Sequence, residues 1–403
     1  MGKVNVNNEI KTLKKVMLHR PGEELLNLTP FLLEELLFDD IPDLAKAQAE
    51  HDEFAKILRD NGAEVVYLED LMAETLDYNE GLRDKFLNQY LKEAEIENEN
   101  LYKESEALLR SIKDTKEFVE KTMAGITLKE IAGFNDINQI VSNKAYTAIY
   151  PMPNLYFTRD PYSTIANGVS INYMHTKTRR RETIYADYIF KYHKDFGGTR
   201  DFYGRDSGYS IEGGDILNIN KNLVMVGISQ RTELEAIKKL AKNLILDSEN
   251  EVKEVLAVNI PAERAYMHLD TVFTQIDHDA FTYHPGIMST FHAVRFTEKD
   301  GEIVSEQLDK SLEDLLKDAL GLDHVKLIPC GGDDPIAALR EQWTDGSNTL
   351  AIAPGKVVVY DRNNVTNDVL EKEGYQVLKL DSSNLTVGRG GPRCMSMPLV
   401  RED

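Results

Sequence analysis

Apolar and polar positions along this chain fall into short strand-like runs that alternate with helical ones. "KKVMLHRPG" reads as a short strand ending at a turn, and "DLAKAQAEHDEFAKILRDNG" as an amphipathic helix with a glycine stop. "AEVVYLED" then reads as a second strand. From about Leu71 to Asn143 the pattern changes. Strand-like runs vanish, Glu and Lys abound, and apolar residues fall at helical spacings such as Leu108, Leu109 and Ile112. This predicts a helical subdomain over 71–143, inserted into a catalytic α/β domain made of 1–70 and 144–403.

Beyond the insertion a unit recurs. "DILNINKNLVMVG", "TELEAIKKLAKNLIL" and "KEVLAVNIP" give hairpin, helix and strand, and "NTLAIAPGKVVVYD", "TNDVLEKEGY" and "QVLKLD" give the same order again. The start of the chain and "GVSINYM…ETIYADYIFKYH" resemble partial copies. Units that cannot each bury a face alone imply a closed or stacked array. Arranged around an axis, such units would bring their polar joining segments ("SQRT", "DRNN") to one central site. An open α/β sheet is the alternative, although the chain carries neither a dinucleotide glycine fingerprint nor a P-loop.

Composition narrows the class. With 42% hydrophobic and 29% charged residues over 403 positions, the chain can bury a large core. The formal net charge of −21 argues against a general nucleic-acid binder. No apolar run is long enough to span a bilayer, and the polar start "MGKVNVNNEIKTLKK" does not read as a signal peptide. Two cysteines make neither a disulfide framework nor a thiolate zinc site, so a reducing cytoplasm is the expected setting.

Four stretches place ionisable groups beside glycines or at the ends of strands. In "MHLDTVF", read as a strand, His268 and Asp270 share a face while Leu269 points away. In "IEGGD", two glycines beside Glu212 leave room for close backbone approach, although a tight turn with solvated acids is the plainer reading. Asp160 sits before a proline, where an ordered turn alone would account for it. In "GRGGPRCMSMP", Cys394 follows a glycine-rich loop with Arg389 and Arg393, a setting for a reactive thiolate or a buried leftover. Together these groups suit one chemistry. A thiolate attacks, a histidine moves protons, and several carboxylates hold a guanidinium, whose planar donors pair with them.

The stretches "MPNLYFTRDP", "IEGGD", "SQRT", "MHLDTVF", "REQWTDGSNTLAIAPG" and "GRGGPRCMSMPLVRE" resemble, in order, the bacterial arginine deiminase family of guanidine-modifying enzymes. The resemblance implies a five-fold pseudo-symmetric α/β propeller of repeated ββαβ units with the helical insertion. It implies hydrolysis of free L-arginine to citrulline and ammonia, the first step of arginine catabolism, with neither cofactor nor metal. Cys394 would be the nucleophile, His268 the acid/base and Glu212 its orienting partner, with Asp160 and Asp270 on the guanidinium. Asn154, Arg179 and Arg231 would hold the α-carboxylate end, Phe157 the aliphatic stem, and Arg389 would act as a mobile gate. Arg180 and Arg181 read as a solvated basic cluster and Cys330 as structural. The resemblance further implies a cytoplasmic homo-oligomer, dimer or tetramer, that binds no membrane or nucleic acid. Three alternatives stay open: a relative acting on agmatine, methylated arginine or amidino transfer; a non-catalytic arginine sensor; and a hard metal ion held by His268, Glu212, Asp160 and Asp270.

Overall fold

Residues 216–259 show how the recurring pattern becomes structure in the computed structural model, which describes residues 4–131 and 146–403. The Asn220 side chain accepts the Asn222 N–H and closes the hairpin Ile216–Asn220/Leu223–Ile228. Helix Leu234–Ile245 buries Ala236, Ile237, Leu240, Ala241 and Leu244 along one face. The chain then returns as strand Glu254–Asn259, parallel to Leu223–Ile228. Val224 and Val226 pack into one apolar cluster, while Leu223 and Met225 pack into another. This strand is thus buried on both faces, which explains its unbroken apolar run.

The same hairpin, helix and parallel strand recur elsewhere. One copy is Tyr162–Ile165/Gly168–Ile171, Thr183–Tyr192 and Arg200–Tyr203, and another is Leu350–Ala353/Lys356–Tyr360, Asn364–Lys372 and Gln376–Leu380. A third pairs Phe273–Gln275/Ala280–Tyr283 with Lys326–Pro329. Between its parts, the hairpin Ala293–Lys299/Glu302–Leu308 extends the preceding sheet. The last copy joins the two ends of the chain: Met397–Arg401 lies antiparallel on Leu13–Leu18, which runs parallel to Glu64–Tyr67 across helix Leu44–Asp60. The five units form separate sheets, and none closes on itself among the described residues. The architecture is mixed α/β.

Helices Leu68–Tyr78, Leu82–Glu93, Glu99–Ser111 and Thr115–Ala124 occupy the expected insertion. Asn98 and Asp114 cap two of them through their side chains. Phe86, Tyr90, Leu109 and Phe118 share one cluster with Tyr162, Tyr185 and Met397, so these helices have no core of their own. The second strand stops at Tyr67, and the "LED" read as its end starts the first of these helices. The expected boundary at 143/144 lies outside the described residues. Among the described residues no helix is long and apolar enough to cross a membrane.

Candidate active site

Leu37, Asn154, Phe157, Asp160, Arg179, Arg231, Met267, His268, Gly388, Arg389 and Cys394 line one cavity of about 20 Å³. That volume holds a water molecule rather than an amino acid. A far larger cleft of about 990 Å³ lies between the helical insertion and the sheets, and it contains none of the expected catalytic groups.

His268 does not lie on a strand. It is extended, but Leu269–Thr271 form a 3₁₀ turn, and the strand begins only at Phe273. The Thr271 hydroxyl donates to the His268 carbonyl, and Asp215 accepts the Leu269 N–H, so local hydrogen bonds override the alternating pattern. The His268 Nε2 contacts Glu212 Oε2 at 2.7 Å, while Nδ1 lies 3.7 Å from Asp160 Oδ1. Glu212 is itself fixed by the His175 N–H on its other oxygen. Burial opposes charging of His268, but Asp160 and Glu212 outweigh it and hold the ring up to about 9. Gly214 is required here, because a Cβ would lie 2.6 Å from the imidazole.

Asp160 and Asp270 share one feature. Each has one oxygen tied to arginine, Asp160 Oδ2 to Arg179 and Asp270 Oδ2 to Arg393, both at 2.8 Å. Among the described residues, the remaining oxygen of each is buried without a hydrogen-bond partner. An orphan buried carboxylate oxygen is costly and calls for a donor. The arginines differ in the same way. Arg179 pairs with both Asp160 and Glu182. Arg231 is 6% exposed, and among the described residues its guanidinium has only Thr176 and Met267 as hydrogen-bond partners, with Glu212 at 3.9 Å and its Nε unpartnered. The spare positive charge of the pocket therefore sits on Arg231. The corresponding Arg362 of the "DRNN" segment turns away to Thr386, so only one of the two joining segments reaches the pocket.

Cys394 is buried, with its Sγ 3.5 Å from Asp270 Oδ2 and 3.1 Å from Asn348 Nδ2. The two arginines near it in sequence do not make it a thiolate. Arg393 is bound by Glu9 and Asp270, and Arg389 lies over the Trp343 ring at 3.4 Å and beside Asp39. Burial first, then the carboxylates of Asp270, Asp160 and Asp345, push the thiol well above its ordinary range, with Arg393 opposing. The loop glycines are closely packed. A Cβ on Gly388 would meet the Tyr156 hydroxyl at 1.9 Å. Arg389 itself takes the left-handed conformation, with φ 63°.

Further expectations fall as follows. Asn154 donates to the Leu36 carbonyl and so holds the Leu37 loop over the cavity. Phe157 lies against Tyr156, with ring centroids 4.0 Å apart. Arg180 and Arg181 are not solvated: both are half-buried over aromatic rings, Arg180 on Tyr173 and Arg181 on Tyr90. Cys330 is buried away from the cavity, against Thr366. Asp160, Glu212 and His268 bring one donor atom each within 4.8 Å, as a metal would require; Asp270, the fourth ligand of that alternative, is not in the group. Leu37, Met267 and Asn348 were not singled out from sequence, although Met267 and Asn348 lie within the quoted stretches "MHLDTVF" and "REQWTDGSNTLAIAPG".

Comparison with known proteins gives the family. The family model described as arginine deiminase matches residues 34–401. A Treponema denticola arginine deiminase is 53% identical over 408 residues, covering 100% of both chains. A Clostridium perfringens arginine deiminase is 50% identical over 99% of this chain and 98% of its own. Among solved structures, an amidinotransferase of Microseira wollei matches 99% of this chain and 98% of its own, with TM-score 0.57 at 14% identity. A dimethylarginine dimethylaminohydrolase matches 96% and 99% with TM-score 0.52, also at 14% identity. At such identities these two carry the fold alone, whereas a family match over most of the length and relatives identical at half of all positions carry more: the chain belongs to the arginine deiminase family, hydrolases that act on C–N bonds.

Proposed function

We propose that the enzyme converts free L-arginine to L-citrulline and ammonia through an amidino group carried on Cys394. The observation that carries this reading is the pair of orphan oxygens on Asp160 and Asp270 beside the Cys394 sulfur. A guanidinium supplies planar N–H donors for both, and its charge offsets the carboxylates that keep the thiol protonated. Arg231, the underpaired cation of the same cavity, takes the α-carboxylate, and Phe157 packs on the stem. Access requires Arg389 to leave Trp343, which is the gating role expected for it.

The steps balance. With the guanidinium bound, the Cys394 thiol gives its proton to solvent, the sulfur pair attacks the guanidinium carbon, the C–N bond to one terminal nitrogen breaks, and protonated His268 delivers the proton that releases ammonia. Water then attacks the amidino carbon, His268 takes its proton, and the C–S bond breaks to give citrulline and the free cysteine. Glu212 holds the ring through both steps. The five ββαβ units surround one axis in this reading, with the site at the end where the joining segments meet. We further infer a cytoplasmic homo-oligomer that opens arginine catabolism; the exposed stripe Ile336, Leu339 and Trp343 on one helix supports self-association. Incubating the protein with arginine or agmatine and measuring ammonia and citrulline tests the activity. Acid quenching and mass spectrometry test the carrier: the added mass belongs on the Cys394 peptide, and finding it on the Cys330 peptide would refute the mechanism.

A further inference from the structure

Asn348 ends the turn after helix Pro335–Trp343 and has no exposed surface. Its amide oxygen accepts the N–H groups of Arg393 and Cys394, both at 3.1 Å. Its amide nitrogen donates to the Asp270 carbonyl and to the Cys394 Sγ, again both at 3.1 Å. Two donors and two acceptor sites are the full capacity of an asparagine side chain, and all four are in use. The orientation is not arbitrary. Reversing the amide would face its NH₂ toward two N–H groups and its oxygen toward a carbonyl. Three backbone partners therefore force the remaining N–H onto the sulfur.

We propose that Asn348 is a catalytic residue that stabilises the Cys394 thiolate, an inference that rests on reading Cys394 as the nucleophile. A donor aimed at sulfur favours the ionised form over the thiol. In this site that donor works against three carboxylates and burial. The sulfur carries the negative charge twice, as attacking group and as leaving group when the amidino intermediate is hydrolysed, so the same N–H assists both half-reactions. An asparagine fits because it donates without adding charge; a carboxylate here would place a fourth anion near the sulfur. Gly391 makes room for it, since a Cβ there would lie 2.7 Å from the Asn348 oxygen.

The test uses Asn348→Ala, which removes the donors without adding charge and whose profile decides the proposal, together with Asn348→Asp, which keeps the acceptor for both backbone N–H groups but replaces the donors with an anion and should give the larger effect. Turnover on arginine should fall roughly 10- to 100-fold, the worth of a hydrogen bond to a charged group, with KM changed less than about 3-fold. The pH profile of Cys394 alkylation by iodoacetamide, read by mass spectrometry without arginine, should move to higher pH. A merely structural role would leave that profile in place. In the unaltered protein, the Asn348 side-chain amide proton, followed by NMR, should titrate with the midpoint of Cys394 alkylation; a flat response overturns the proposal, as does an unmoved profile with near-normal turnover. A Cys394→Ala enzyme that still makes citrulline removes both readings, whereas an inactive one beside unaffected Asn348 variants removes the Asn348 assignment alone.

Discussion

Two buried histidines in this protein sit between pairs of carboxylates, and only one of them faces a cavity. At the end of the first strand, His19 contacts Glu69 at 2.7 Å and Glu24 at 3.2 Å. At the candidate site, His268 contacts Glu212 at 2.7 Å but stands 3.7 Å from Asp160. Both rings are held in the charged form against the burial that opposes it, His19 up to about 10 and His268 up to about 9. Local charge therefore does not separate a structural histidine from a catalytic one. Completeness does. Both nitrogens of His19 have carboxylate partners within hydrogen-bonding distance, whereas His268 has one strong partner, and the second carboxylate keeps an orphan oxygen beside the cavity. At His268 the unfinished hydrogen bonds lie beside a cavity, where the proposed substrate would complete them.

The sharpest way to break this contrast is to remove each ring. His268→Ala should lower turnover on arginine by roughly 10²- to 10⁴-fold, the usual worth of a positioned acid/base, while thermal unfolding changes little by comparison. Because the acid form must donate to departing ammonia, the wild-type rate should also decline as pH rises through about 9. A steady-state pH profile that stays flat beyond that point would show that another group donates the proton.

His19→Gln should do the reverse. It leaves Glu24 and Glu69 buried without their cation, and breaking a buried pair from one side costs about 3–5 kcal/mol. Denaturant unfolding should show that loss, with turnover per folded molecule unchanged. The sign with pH follows from the raised value. The stability that charged His19 contributes is complete below its ordinary 6.5 and disappears as pH rises through about 10. The variant should lack that alkaline decline, and a variant that loses activity without losing stability would contradict the assignment.

Sequence reasoning reached one of these histidines and passed over the other for a physical reason. His268 lies two positions from Asp270 in one short stretch, so its chemistry was visible locally. The partners of His19 lie 5 and 50 residues away, and nothing in "LHRPG" announces them. The same limit hid Asn348, whose contacts to Cys394 span 46 residues. The repeating units were readable because hairpin and helix periods are local. The 3₁₀ turn at Leu269–Thr271 was misread because a threonine hydroxyl and Asp215 reshape a stretch whose alternation resembles a strand. The state of Cys394 was misjudged because Arg389 and Arg393, adjacent in sequence, give their charge to Asp39, Glu9 and Asp270.

The arginines of the pocket repeat the contrast between finished and unfinished partners. Arg179 has carboxylates at 2.8 and 2.9 Å, while the carboxylate beside Arg231, Glu212, stands 3.9 Å away. Arg231→Ala should therefore cost about 2 kcal/mol or more in kcat/KM for arginine, some 30-fold. Agmatine, which lacks the carboxylate, should show almost no change. Equal penalties on both substrates would move the carboxylate contact away from Arg231.

The cysteines give the smallest effect and the cleanest control. Cys330 is fully buried like Cys394, and burial lifts its thiol as well, up to about 11. Its sulfur meets the Thr366 hydroxyl and packs close to Gly346, whose Cβ, if present, would lie 2.8 Å from it. Asp345, which keeps an unpartnered oxygen, also acts on this thiol, but Cys330 does not line the cavity that holds Cys394. Cys330→Ala removes one sulfur from a packed interior, so unfolding should become easier by about 1 kcal/mol, the scale of a small buried deletion. Turnover on arginine and the extent of amidino labelling at Cys394 should both match the parent enzyme. If Cys330→Ala instead lowered turnover tenfold with its stability intact, a place on the cavity would no longer distinguish the two cysteines, and the assignment of Cys394 as the carrier would fail.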